Sequence, residues 1–223
     1  ILHHPDDLHM YFLSLAGTDL DVYGDLPHAE RVVHGNEQER VRRLFGRLNQ
    51  ILDERQADGD TAHKHVILLF VDQWEQFNED YRDTHRYDLE RIIGEGRASN
   101  IIAVVSTNSP SVIPDRLRSL MQQRIALQLG SPLDYLVAVG RVRGADEIVL
   151  PSGRAFNVGN PPLLLQIGLP QVDYLSNAED EDEQTSAQRV VNTLRAQYML
   201  EQGIYETEAD HAQTPPQILE LPD

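Results

Sequence analysis

Six apolar residues in a row, Val66 to Val71, lie between the polar pair Lys64-His65 and Asp72. An unbroken run of that length, rich in β-branched and aromatic side chains, predicts a strand buried on both faces of a mainly parallel sheet. Ile101 to Val105 repeats the pattern and ends in Ser106-Thr107-Asn108. Between the runs lie an acidic, aromatic segment, Trp74 to Tyr81, and a stretch from about Tyr87 to Ala98 that predicts a helix. Two buried strands joined through a helix make a parallel βαβ unit, which brings Asp72 and Thr107/Asn108 to one edge of the sheet. Upstream, Met10 to Leu15 reads as a first strand with its turn at Ala16-Gly17-Thr18-Asp19, and Arg31-Val32-Val33 as a short one. Val41, Leu44, Phe45, Leu48, Ile51 and Leu52 recur at helical spacing, with Arg40, Arg42, Arg43, Arg47 and Glu54 on the other faces. Asn36 and Glu39 read as its capping pair.

Downstream, Pro110 and Pro114 interrupt the chain ahead of a short helix near Asp115–Met121. Arg124 to Leu129 alternates as a third strand, and Leu133–Val139 predicts a helix. Pro151-Ser152-Gly153-Arg154 is a turn before a hairpin of Ala155–Val158 with Leu163–Ile167. Past Pro170 the character changes. The run Glu179 to Glu183 is a solvated linker, a helix is expected over Ala187–Glu201, and Thr214 to Pro222 reads as an extended, Pro-rich segment. The expected organisation is thus one domain over 1–170 and a connector over 171–223.

The charge sharpens that division. Of the net −17, residues 171–223 carry −10, from twelve acids and two Arg. The body is only mildly acidic and contains the single lysine, Lys64, which disfavours a broad nucleic-acid surface. The absence of cysteine excludes disulfides and thiolate metal sites. No run approaches the ~20 apolar residues of a membrane span. The chain opens at Ile1 without Met or a signal-like segment, so a piece of something longer is expected.

The candidate chemistry sits where the first long strand ends. Ligands of open α/β sheets collect outside the carboxyl ends of the strands, so a carboxylate delivered there, Asp72, is a candidate Mg²⁺ and nucleotide-phosphate residue. A plain strand-to-loop carboxylate would look the same. His3, His4 and His9, or His63 and His65, lack companion carboxylates at ligand spacing and read as surface residues. Trp74 and Phe77 fit either core or a peptide-docking pocket.

Taken as an ordered set, Ala16–Asp19, Leu26-Pro27-His28, Glu39 to Leu44 with Leu52 to Arg55, the Val66–Asp72 run, Val104–Asn108, Arg124 to Leu127 and Pro151–Arg154 carry a resemblance. Over about residues 3–170 the chain resembles the FtsK/SpoIIIE family of P-loop motor ATPases, in particular the EccC-type ATPase domains of type VII secretion. The resemblance implies a RecA-like P-loop NTPase fold, α/β, with a mainly parallel sheet flanked by helices, here followed by a C-terminal hairpin and connector helix. It implies ATP and Mg²⁺, and other ATPase domains or subunits of the same motor as partners. It also implies a membrane-embedded secretion or division complex, a place on the cytoplasmic side of the cell membrane, and an export-substrate peptide as a further partner. By match, Asp72 takes the Walker B position, Thr107 or Asn108 the polar sensor position, Arg124 an arginine at a strand start, and Arg154 the late glycine-arginine turn.

Two departures bear on activity. No G-x-x-x-x-G-K-[ST] loop is present in these residues, and Gln73 stands where active motors carry Glu. An amide cannot accept the attacking water's proton, although it can orient the water. The expectation is therefore an ATP-binding module of a translocation motor, for protein export, with weak or no hydrolysis. The alternatives are a degenerate docking domain for substrate peptides or neighbouring ATPase domains, and, less favoured by the charge, a DNA translocase.

Overall fold

The computed structural model describes residues 3–59, 64–168 and 183–202; the acidic run over 179–182 and the Pro-rich segment over 214–222 lie outside them. Four parallel strands form the main sheet in the order β2-β1-β3-β4: β1 is Leu8–Ser14, β2 Val33–His34, β3 Val66–Asp72 and β4 Ile101–Val105. The pairing Ile67↔Ile101 through Val71↔Val105 confirms the parallel relation of the two apolar runs and ends both at one edge.

Helix α1, Gln38–Asp58, lays Val41, Leu44, Phe45, Leu48 and Leu52 on one face of this sheet, against Ile67, Leu69, Val71 and Ile101. Each of these side chains contributes about 1.5–3 kcal/mol on burial. Helix α2, Trp74–Tyr81, and helix α3, Arg86–Glu95, complete that layer with Trp74, Phe77, Leu89 and Ile92. The acidic, aromatic segment after Asp72 is thus a helix. Gly59 closes α1 in the left-handed region at φ 71°, its N–H bonded to Arg55 O. The capping pair takes a different form from the expected one. The N-cap is Glu37, whose carboxylate accepts the His34 backbone N–H at 3.0 Å and an N–H of the Arg40 guanidinium at 2.9 Å.

The opposite face differs from expectation. β3 is fully buried on one face only; on the other, Phe70 stacks on Phe12 at 4.9 Å, and Phe12 on Tyr23 of the 3-10 turn Asp21–Asp25 at 5.9 Å. The next residues on that face, Ile102 and Val104 of β4, remain 43% and 44% exposed. A run of six apolar residues cannot report whether a second layer covers it. β3 is flanked by β1 and β4, and the open borders of the sheet among the described residues are those of β2 and β4.

Beyond β4 come helix α4, Asp115–Leu120, strand β5, Ile125–Ala126, and helix α5, Pro132–Ala138. Strands β6, Arg154–Asn157, and β7, Leu163–Gln166, form the expected hairpin. The third predicted strand shrinks to two residues and joins this hairpin as an antiparallel sheet, β5-β6-β7, instead of the parallel one. Tyr135, Val139 and Ala126 form its small core. Helix α6, Glu183–Glu201, covers the predicted connector helix and packs Ala187 and Val191 on Val22.

Candidate functional site

Because β3 and β4 are parallel and in register, their last residues emerge side by side. Ser106, directly after β4, donates its hydroxyl to Asp72 Oδ1 at 2.6 Å. The Ser106 hydroxyl oxygen itself accepts the Gln73 N–H at 2.8 Å, and the Ser106 carbonyl accepts the Trp74 N–H at 2.8 Å. Gln73 is thereby held at φ 65°, ψ 85°, a left-handed conformation that an unbranched polar residue rarely adopts. On the other flank, Ser14 of β1 stands opposite Asp72, buried, with its hydroxyl donating to Gly17 O at 3.3 Å.

A second carboxylate stands behind this edge. Glu75 Oε1 accepts from the Thr107 hydroxyl at 2.7 Å, the Asn108 N–H at 2.9 Å and the Ser109 N–H at 3.0 Å. Its Oε2 is buried without a hydrogen-bond partner. Burial works against ionisation of Glu75, but the Thr107 hydroxyl and the backbone N–H groups of Glu75, Ser109 and Asn108 hold its carboxyl below the ordinary value.

The structure therefore brings Asp72, Gln73, Thr107 and Asn108 together at one edge. It does not bring the two arginines there. Arg124 heads β5, and its guanidinium is spent on three carbonyls: Ala138 at 2.6 Å, Met121 at 2.8 Å and Arg118 at 3.3 Å. Arg154 opens β6, exposed on the antiparallel sheet. Trp74 and Phe77 are 1% and 0% exposed and belong to the core, which removes them as a docking pocket. Ser106 and Glu75 were not singled out by the sequence. Aligning the ends of the two apolar runs would have found Ser106. Nothing local marks Glu75, whose partners lie 32 to 34 residues away.

A hard-oxygen pair such as Asp72 and Ser106 suits Mg²⁺. The cationic, N–H-rich loop that grips phosphate is not in this sequence. No group of three or more His, Cys, Asp or Glu with metal-site geometry occurs among the described residues.

A groove with a cavity volume of about 260 Å³ runs between α3 and α4, lined by Tyr87, Glu90, Arg91, Arg116, Leu117 and Leu120. Tyr87 is 76% exposed there.

No family profile matches the chain. It is 25% identical over 243 aligned positions, spanning all of this chain, to the ESX secretion system protein EccC of Thermomonospora curvata. It is 30% identical over 166 positions, 66% of this chain, to the ESX-3 secretion system protein EccC3 of Mycobacterium tuberculosis. The chain spans 17% and 12% of the length of these curated relatives. Among solved structures, ATPases 2 and 3 of EssC from Geobacillus thermodenitrificans superpose with a TM-score of 0.75 at 17% identity, covering 89% of this chain and 39% of that one. ATPases 2 and 3 of T. curvata EccC, solved in complex with a signal sequence peptide, superpose at 0.73 with 23% identity, covering 87% and 38%.

Proposed function

We propose that this chain, a homologue of the EccC and EssC ATPase domains of type VII secretion systems, is the larger part of a nucleotide-binding module in a protein-export motor. The carrying observation is the juxtaposition of Asp72 with Ser106 and Asn108 at the carboxyl edge of a parallel sheet. On this reading Asp72 and Ser106 are the residues that would hold Mg²⁺, which would supply charge neutralisation to the phosphates. Asn108, exposed on the loop after β4, and Gln73, directly after Asp72, are the polar residues assigned to the phosphate side. The unpaired β4 edge is where a strand bearing the phosphate-gripping loop would add to the sheet. Residues 1–170 form the module, and 171–223 lead to a neighbouring domain. The module works at the cytoplasmic side of the membrane; no helix among the described residues is long and apolar enough to cross it.

Gln73 points to slow turnover, so binding of ATP, rather than its hydrolysis, governs assembly with neighbouring ATPase domains. The test is Mg·ATP binding by the full-length gene product. Asp72→Ala is expected to weaken it at least tenfold, and equal affinity in wild type and variant would sink the reading. Gln73→Glu is expected to raise hydrolysis; binding without any rise would mark a module that no longer turns over.

A second reading, a docking domain for an export-substrate peptide, is favoured by the groove between α3 and α4, where Tyr87 and Leu120 are exposed beside Glu90, Arg91 and Arg116. Saturable binding of an export peptide that Leu120→Glu abolishes would support it. The acidic balance and single lysine count against a DNA motor.

A further inference from the structure

We propose that Glu75 is a positioning residue: it sets the loop after β4 so that Asn108, and not Thr107, is offered to a ligand at the carboxyl edge. The ligand half of this inference rests on the nucleotide reading above. Thr107 has one hydroxyl proton, which has the Glu75 carboxylate at 2.7 Å and Ser109 O at 2.9 Å within reach, while its oxygen lies 3.2 Å from the Ser109 N–H. Its hydrogen-bonding capacity is spent inward. Asn108 gives only its backbone N–H to Glu75, and the residue is exposed. One carboxylate oxygen thus fastens three consecutive residues of the loop to the first turn of α2, the helix that starts two residues after Asp72. Charge-assisted bonds of this kind are stronger than those between neutral groups, so a loop of otherwise small polar residues is fixed before any ligand arrives. Glu75 does not itself reach the edge. Its second oxygen is buried, so it acts through Asn108.

The test uses Glu75→Ala and Glu75→Gln, the latter keeping an accepting oxygen. In the 223-residue chain, Glu75→Ala is expected to move the amide proton resonances of Asn108 and Ser109 upfield while leaving that of Trp74, which is bonded to Ser106 O, in place. In the full-length gene product, Glu75→Ala is expected to weaken Mg·ATP about tenfold with Mg·ADP little changed, and Glu75→Gln to restore most of the preference. A folded Glu75→Ala protein with unmoved Asn108 and Ser109 amides, or with an unchanged ATP-to-ADP ratio, overturns the proposal. Failure of the wild type to bind either nucleotide would instead remove the nucleotide reading and the ligand half with it; the amide shifts would still decide whether Glu75 sets the loop.

Discussion

The Ser106 hydroxyl stands 2.6 Å from Asp72 Oδ1 and is at the same time the acceptor for the Gln73 N–H. One oxygen therefore fixes both the carboxylate and the backbone that follows it. Ser106→Ala is expected to lower stability by about 1–2 kcal/mol, because it leaves the Gln73 N–H without its acceptor. Urea denaturation of the two proteins measures this, and a change below about 0.3 kcal/mol would show that water replaces the hydroxyl at no cost.

At position 73 the left-handed backbone favours glycine over any residue with a Cβ. Gln73→Gly is expected to raise stability by roughly 0.5 kcal/mol, and Gln73→Val to lower it by roughly 1–2 kcal/mol. If denaturation midpoints for the two substitutions fell in the reverse order, the positive φ would be wrong.

The opposite edge of the sheet carries a pH dependence. His9 and His65 lie with ring centroids 4.1 Å apart and planes tilted by 36°, and Arg55 lies 3.2 Å from His65 Nε2 while donating to Ser99 O at 2.8 Å. Burial first, then His9, Arg55 and Lys64, push His65 down to about 4; His9 is also lowered, chiefly by burial. Because the folded state resists protonation that the unfolded chain accepts near 6.5, stability is full above that pH. It is lost progressively as the pH falls towards 4. Both rings are partly solvated, so the expected loss is on the order of 1 kcal/mol after screening. His65→Gln should flatten the decline between pH 6.5 and 4 in chemical denaturation, and an unchanged slope would exclude His65 as its source.

Arg124 holds the ends of two elements together through three carbonyls. Arg124→Ala is expected to cost about 2–3 kcal/mol, and Arg124→Lys to recover little, because a single ammonium cannot satisfy three divergent acceptors. An Arg124→Ala protein of wild-type stability would show that water satisfies the three carbonyls at no cost.

These cases also mark how far the chain could be read. The runs ending at Asp72 and Val105, and the periodic face from Val41 to Leu52, report local structure directly, so β3, β4 and α1 were legible. The parallel pairing followed from the helix between the strands. The partners of Asp72 and Thr107 were not legible, since they depend on a register that joins residues more than thirty positions apart. The local partners of Arg124 were not legible, because its acceptors are main-chain carbonyls, which no side-chain pattern announces. Gln73 carried no sign of its backbone, as glycine or asparagine would have. Ile125 and Ala126 alternate correctly for a strand, but alternation does not say which sheet the strand joins.

The two borders of the parallel sheet are unequal. β2 ends it with two residues, whereas β4 offers five, with Ile102 and Val104 bare on the adjoining face. A further strand parallel to β4 must come with a long crossover, usually a helix, because parallel neighbours cannot be joined by a tight turn. A single βα unit added beside β4 would therefore close that border and cover Ile102 and Val104 together.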